Sequence, residues 1–304
     1  MRAPSNEGLG SAELKQKLTI AIAGRPAELA FWLTRFGSMP STRPNLGLAS
    51  GFGAEIAAHG DRALRVLAYL GANIASPDTA EVFLPIAAAY GYTALIRRKV
   101  SVRAAWEAVF GLAADERTPV QLAMITALTD LAASTTPDAL IAEVDAWIGH
   151  EDRDERWSAL MVAVSVLSER HVMEAITDRA GWLDRLSRIL TDIGDAPRAA
   201  ERSEGRRRLL AALAPAIALV AASFRASPNG VEWLEAECAR ATQVDVRNAL
   251  SAAIDQLRKR GSSEKVEVLE ALRAALASSA KPDRHAARRK EGTNRGKKEQ
   301  TRGG

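Results

Sequence analysis

The residues best suited to chemistry are the arginines of segment 195–208, DAPRAAERSEGRRR. Arg198, Arg202 and Arg206 recur every four residues, so on a helix they share one face, with Arg207 and Arg208 just beyond. Guanidinium forks pair with phosphate and carboxylate groups, which makes this face a candidate anion-binding site. The simpler reading is a solvated face with internal ion pairs. Glu204 stands four residues before Arg208, and Glu201 lies between two arginines.

A second basic set lies in segment 281–304, which carries Arg288, Arg289, Lys290, Lys297 and Lys298. Such residues release counterions from a phosphate backbone, so this tail can contact polyanions without sequence preference. It has no interleaved aromatics for base stacking, and a solubilising role explains it equally well. Nine Lys/Arg against three Asp/Glu give the tail +6; the whole chain is +4, which leaves −2 for the rest. The pI of about 9.4 therefore belongs to the tail and not to the body.

Other constellations are missing. The four histidines, His59, His150, His171 and His285, form no His-x-x-x-His pair, and no cysteine cluster accompanies them. No metal and no cofactor is expected, and no catalytic residue is assigned. His150 and Asp152 in GHEDRD read as a solvated turn between helices. Gly47, Gly51 and Gly53 follow no strand and suit a turn or a close helix approach. The single cysteine, Cys238, excludes an internal disulfide and reads as a small packed residue. The N-terminus lacks a basic start followed by an apolar core, so no signal peptide is expected, and a reducing cytoplasm fits.

The elements that must position these residues are helical. Alanine and leucine dominate the apolar set, aromatics are only 5%, and strand-like runs of β-branched residues are missing. Helices are expected near 11–23, 26–36, 46–58, 61–74, 78–90 and 102–113, with Pro85 kinking or breaking its helix. A loop is expected at 37–45, where GSMPSTRPN gathers turn formers. Further helices are expected at 138–148, 198–224, 230–241, 244–260 and 263–278. Thr118 and Asp154 are candidate caps. Segment 209–224 is sixteen uncharged residues, short of the roughly twenty of a membrane span. Leu210, Leu213, Ile217, Val220 and Phe224 fall on one stripe, as in a buried helix.

Three strings repeat one pattern: VQLAMITALTDL (120–131), RWSALMVAVSVL (156–167) and VRNALSAAIDQL (246–257). Their alanine pairs, Ala123/Ala127, Ala159/Ala163 and Ala249/Ala253, place small residues four apart on one face, where another helix can approach. Ala127 and Ala163 are 36 residues apart, a spacing typical of two-helix repeats; Ala163 and Ala253 are 90 apart.

These turn-then-helix strings resemble the HEAT-like α-solenoid superfamily. The resemblance implies an all-α fold, an α-solenoid of antiparallel helix pairs of the HEAT/ARM-like kind. It would run over residues 11–278, with a disordered N-terminus (1–10) and a disordered basic tail (279–304). It implies a non-enzymatic scaffold binding an extended protein partner on its concave face. The alternative is a nucleic-acid binder, since some HEAT-like proteins are DNA glycosylases for alkylated bases that use Trp, Arg and Asp. Asp145 with Trp147, and Asp154 with Arg156 and Trp157, share those residue types but match no motif. All six tryptophans lie among apolar neighbours at helical spacing, as core residues do.

Overall fold

The computed structural model describes residues 7–40, 43–226, 229–259 and 266–279, without the side chains of 7–11. Among the described residues every regular element is a helix. In chain order these are α1 (Glu7–Ile22), α2 (Ala27–Phe36), α3 (Leu46–Ala57), α4 (Ala63–Gly71) and α5 (Phe83–Arg97). There follow α6 (Val102–Ala113), α7 (Thr118–Ser134), α8 (Pro137–Ile148), α9 (Arg153–Leu167) and the short α10 (Arg170–Glu174). The last are α11 (Arg179–Gly194), α12 (Glu204–Ser223), α13 (Gly230–Arg240), α14 (Val244–Lys259) and α15 (Val266–Ser278).

Short polar side chains start many of these helices by accepting an otherwise unpaired backbone N–H. Asn45 does so for α3, Thr136 for α8, Asp178 for α11, Ser203 for α12 and Asn229 for α13. At α9 the cap is Asp152, which accepts from the N–H groups of Asp154 and Glu155. The expected cap, Asp154, sits two residues on, in the first turn, where its charge favours the helix dipole. Thr118 is likewise the first residue of α7, after an Arg117 that makes no capping bond.

Other boundaries also move. Helix α1 starts at Glu7, inside the segment expected to be disordered; residues 1–6 lie outside the described residues. Pro85 does not break its helix, because α5 begins only two residues earlier. In a first turn the N–H has no intrahelical acceptor, so proline removes nothing. The expected helix 198–224 is two elements: a 3-10 turn, Arg198–Arg202, then α12 after an extended Ser203. Helix α11 was not among the expected elements, and it fills part of the 90-residue gap between the second and third strings. In α12 and its C-cap, Leu209, Leu213, Ile217, Val220 and Phe224 are buried, while Leu210 is only partly so. No helix among the described residues is long and apolar enough to cross a membrane.

Helices α3, α5, α7, α9, α12 and α14 each pack on the next of that series. Beside them, α4 packs on α6, α8 on α11, α11 on α13 and α13 on α15. Helices α6 and α8 do not approach each other in this way. Buried apolar side chains from Leu14 to Leu276 form one connected core. Helix α5 is buried from Phe83 through Thr93, and α9 from Arg156 through Val164. All six paired alanines of the repeated strings are buried.

Close approach needs missing side chains at defined points. A Cβ on Gly53 of α3 would stand 2.6 Å from the Tyr90 carbonyl oxygen of α5. One on Gly205 of α12 would stand 2.6 Å from Ser158 Oγ of α9. Gly51, two residues from Gly53, faces open space. Gly53→Ala is expected to lower stability in urea titration by about 1–3 kcal/mol, the usual cost of overpacking. Gly51→Ala should be neutral or raise it by up to about 1 kcal/mol through helix propensity.

Asp138, in the first turn of α8, accepts from the Thr177 hydroxyl and from the backbone N–H groups of Thr177 and Asp178, each at 3.2 Å for the latter two. Desolvation alone would raise its carboxyl, but these bonds, with one from Thr136, outweigh it and hold the pKa below the usual value. A carboxylate lowered on folding stabilises above its unfolded pKa, and that share is lost as pH falls through the folded pKa. Asp138→Asn is therefore expected to cost stability at neutral pH, with the difference from the parent shrinking on acidification, as urea midpoints from pH 7 downward would show.

Candidate functional site

The gap between α6 and α8 is an open cleft of about 680 Å³. Helical spacing builds both walls. Val102, Trp106 and Phe110 recur every four residues on α6; Glu143 and Trp147 do so on α8, with Ala146 beside them and His150 in the turn beyond. Phe110 meets Trp147 edge-on at 5.8 Å between ring centroids and lies 4.3 Å from the His150 ring. Trp106 and Trp147 are buried, so they anchor the two helices at the floor of the cleft.

The cleft is apolar with three charged side chains on its walls. Arg103 donates to Glu107 at 3.0 Å, one turn along α6, so these two compensate each other. Glu143 makes no hydrogen bond or ion pair among the described residues, and burial pushes its carboxyl above the ordinary value. A half-desolvated carboxylate beside aromatic rings is the polar feature a ligand would meet.

The expected arginine site is not assembled. Arg198 and Arg202 are exposed on the 3-10 turn, and the chain straightens at Ser203, so Arg206 does not share their face. Arg206 is 2% exposed and donates to Asp245 at 2.6 Å. Arg207 and Arg208 both pair with Glu204, whose carboxyl they hold below its usual range. Arg208 also donates to Gln121 at 2.8 Å, tying α12 to α7. Arg288, Arg289, Lys290, Lys297 and Lys298 lie outside the described residues.

Arg206 belongs instead to a recurring structural role. Arg117 donates to the carbonyls of Asn73 and Ala75, just past α4, at 2.8 and 2.9 Å. Arg156 donates to the His150 carbonyl past α8 at 2.7 Å and to Asp192 of α11 at 2.6 Å. Arg206 reaches towards the Ile193 carbonyl at 3.5 Å, and Arg247 takes that of Ala241, past α13, at 3.2 Å. Each arginine stands at the start of one helix and occupies the carbonyl end of another, where acceptors are unpaired and the dipole is negative. In sequence each is the third residue of an acid-x-Arg triplet: Asp115–Arg117, Asp154–Arg156, Glu204–Arg206 and Asp245–Arg247. That signal was present: the second and third repeated strings contain Arg156 and Arg247, and the acids Asp154 and Asp245 stand just before them.

Of the residues weighed as a glycosylase-like set, Asp145, Arg156 and Trp157 are committed elsewhere, and Asp154 is exposed in the first turn of α9. Asp145 is held by the Arg185 and Arg188 guanidiniums. Trp157 is fully buried and donates to Asp192 at 2.8 Å. Trp32, Trp106, Trp147 and Trp182 are buried, and Trp233 is partly so, with its indole N–H on Ser187. Cys238 is buried, which pushes its thiol up to about 11, far from a nucleophile's range. No group of three or more metal-ligating side chains occurs among the described residues.

Comparison with family models gives no match, and neither the curated proteins nor the solved structures give one.

Asp192 joins α11 to two residues of α9. Its removal leaves the Trp157 indole N–H and one arm of the largely buried Arg156 guanidinium unpaired, the other arm staying on the His150 carbonyl. Asp192→Ala is expected to cost about 3–5 kcal/mol in chemical denaturation, as loss of one partner of a buried pair does.

Proposed function

We propose that this chain is a non-enzymatic interaction scaffold of the HEAT-like α-solenoid kind. The packing order supports the architecture: one series of helices stacks in chain order, and shorter links join the helices beside it. The observation that carries the function is the gap between α6 and α8. Neighbouring helices elsewhere in that second row close on each other, while here an aromatic cleft stays open. The expected partner surface was the concave face. In the series from α3 to α14, α5 and α9 are buried along most of their length, so the proposed docking surface is the α6–α8 cleft. An extended segment of a protein partner suits a cleft open along its length.

Ala146 is exposed on the cleft wall, and Asp184 is exposed on α11 away from it. A photo-reactive side chain placed at position 146 of the full chain is expected to give a discrete protein adduct in cells. Val102→Glu should abolish it, and the same group at 184 should give none. Equal adducts at both positions, or adducts to nucleic acid, would overturn the reading. The nucleic-acid alternative rests on the tail and the exposed Arg198 and Arg202. It requires duplex DNA binding at low salt that weakens steeply as salt rises.

A further inference from the structure

The α6–α8 cleft has one charge with nothing to balance it. Arg103 and Glu107 cancel at 3.0 Å, and the remaining wall residues other than Glu143 are apolar or aromatic, apart from the His150 ring lying against Phe110. Glu143 is partly buried, has no partner among the described residues, and stands one helical turn from Trp147 on the same wall. Apolar aromatic walls cover an aliphatic stem, and a desolvated carboxylate attracts a cation through its charge. Both features select the same kind of occupant.

We propose that the cleft takes a lysine or arginine side chain of an extended partner segment, with the ammonium or guanidinium group on Glu143 and the aliphatic stem along Val102, Trp106 and Phe110. This rests on the scaffold reading and names its partner's chemistry. Long cationic side chains cover apolar surface with their stems while the head seeks a polar group, and the cleft presents those two surfaces in that order. A neutral apolar side chain would fill the walls but leave Glu143 desolvated and unpaired, and an acidic one would meet like charge. Burial already pushes Glu143 up, and an incoming cation relieves that cost.

The test uses the full chain labelled with 5-fluorotryptophan, its six resonances assigned by single Trp→Phe replacements. Three peptides are titrated: Ac-Ser-Leu-Lys-Leu-Ser-amide and the same sequence with norleucine or glutamate in place of lysine. The lysine peptide is expected to shift the Trp147 and Trp106 signals and leave Trp182 unmoved. Norleucine should bind about tenfold more weakly, and glutamate more weakly still. Glu143→Gln should bring the lysine peptide down to the norleucine level with a melting temperature no lower than the parent's, which shows the fold is intact. Equal binding of lysine and norleucine peptides would overturn the cationic assignment while leaving an apolar docking cleft. No shift at Trp147 or Trp106 with any peptide would overturn it too, and the adduct at position 146 would then decide the scaffold reading separately.

Discussion

The structure depends on how helix ends are satisfied between neighbours. Each helix leaves carbonyl groups unpaired at its C-terminal end, and burying such groups without partners is costly. Here arginines at the starts of α7, α9, α12 and α14 occupy the ends of α4, α8, α11 and α13. A guanidinium suits the task because it offers several donors in a plane and carries the charge that the helix end favours. Acids complete the links: Asp192 joins α9 to α11, and Asp245 joins α12 to α14. Arginines that look like a ligand site in isolation are thereby used inside the fold.

Packing between these links is set by small residues. The alanine pairs of α7, α9 and α14, with Gly53 and Gly205, let backbones approach until dispersion contacts are dense. Between α6 and α8 large residues face each other instead: Trp106, Phe110 and Trp147 hold the walls apart. The closest approaches thus fall at alanine and glycine, and the α6–α8 gap lies between aromatic rings. The cleft is a consequence of side-chain size at positions four residues apart.

The all-helical class of the described residues was legible because alanine, leucine and helical periodicity agree from one helix to the next. So were the burial of the three alanine strings and of the 209–224 stripe, since both rest on local spacing. Helix starts were less legible. Asp152 and Asp154 are both acceptable caps, and only backbone geometry chooses between them. Ser203 broke an arginine series whose spacing suited one helix, because its side chain caps the N–H of Arg206. Helix α11 was not called, although Trp182, Leu186, Ile189, Leu190 and Ile193 are all buried, because it carries none of the alanine pattern used to find its neighbours. The cleft was hidden for a different reason. Trp106, Trp147 and His150 are far apart in sequence, and only tertiary packing brings α6 opposite α8.

The most direct measurement of the central claim is residue-resolved amide hydrogen exchange on Arg156→Met compared with the parent. If arginine links hold the helix ends, the last turns of α8 and α11 should exchange faster while the interior of α5 keeps its protection. Unchanged exchange at both helix ends, in a variant that folds, would contradict the account.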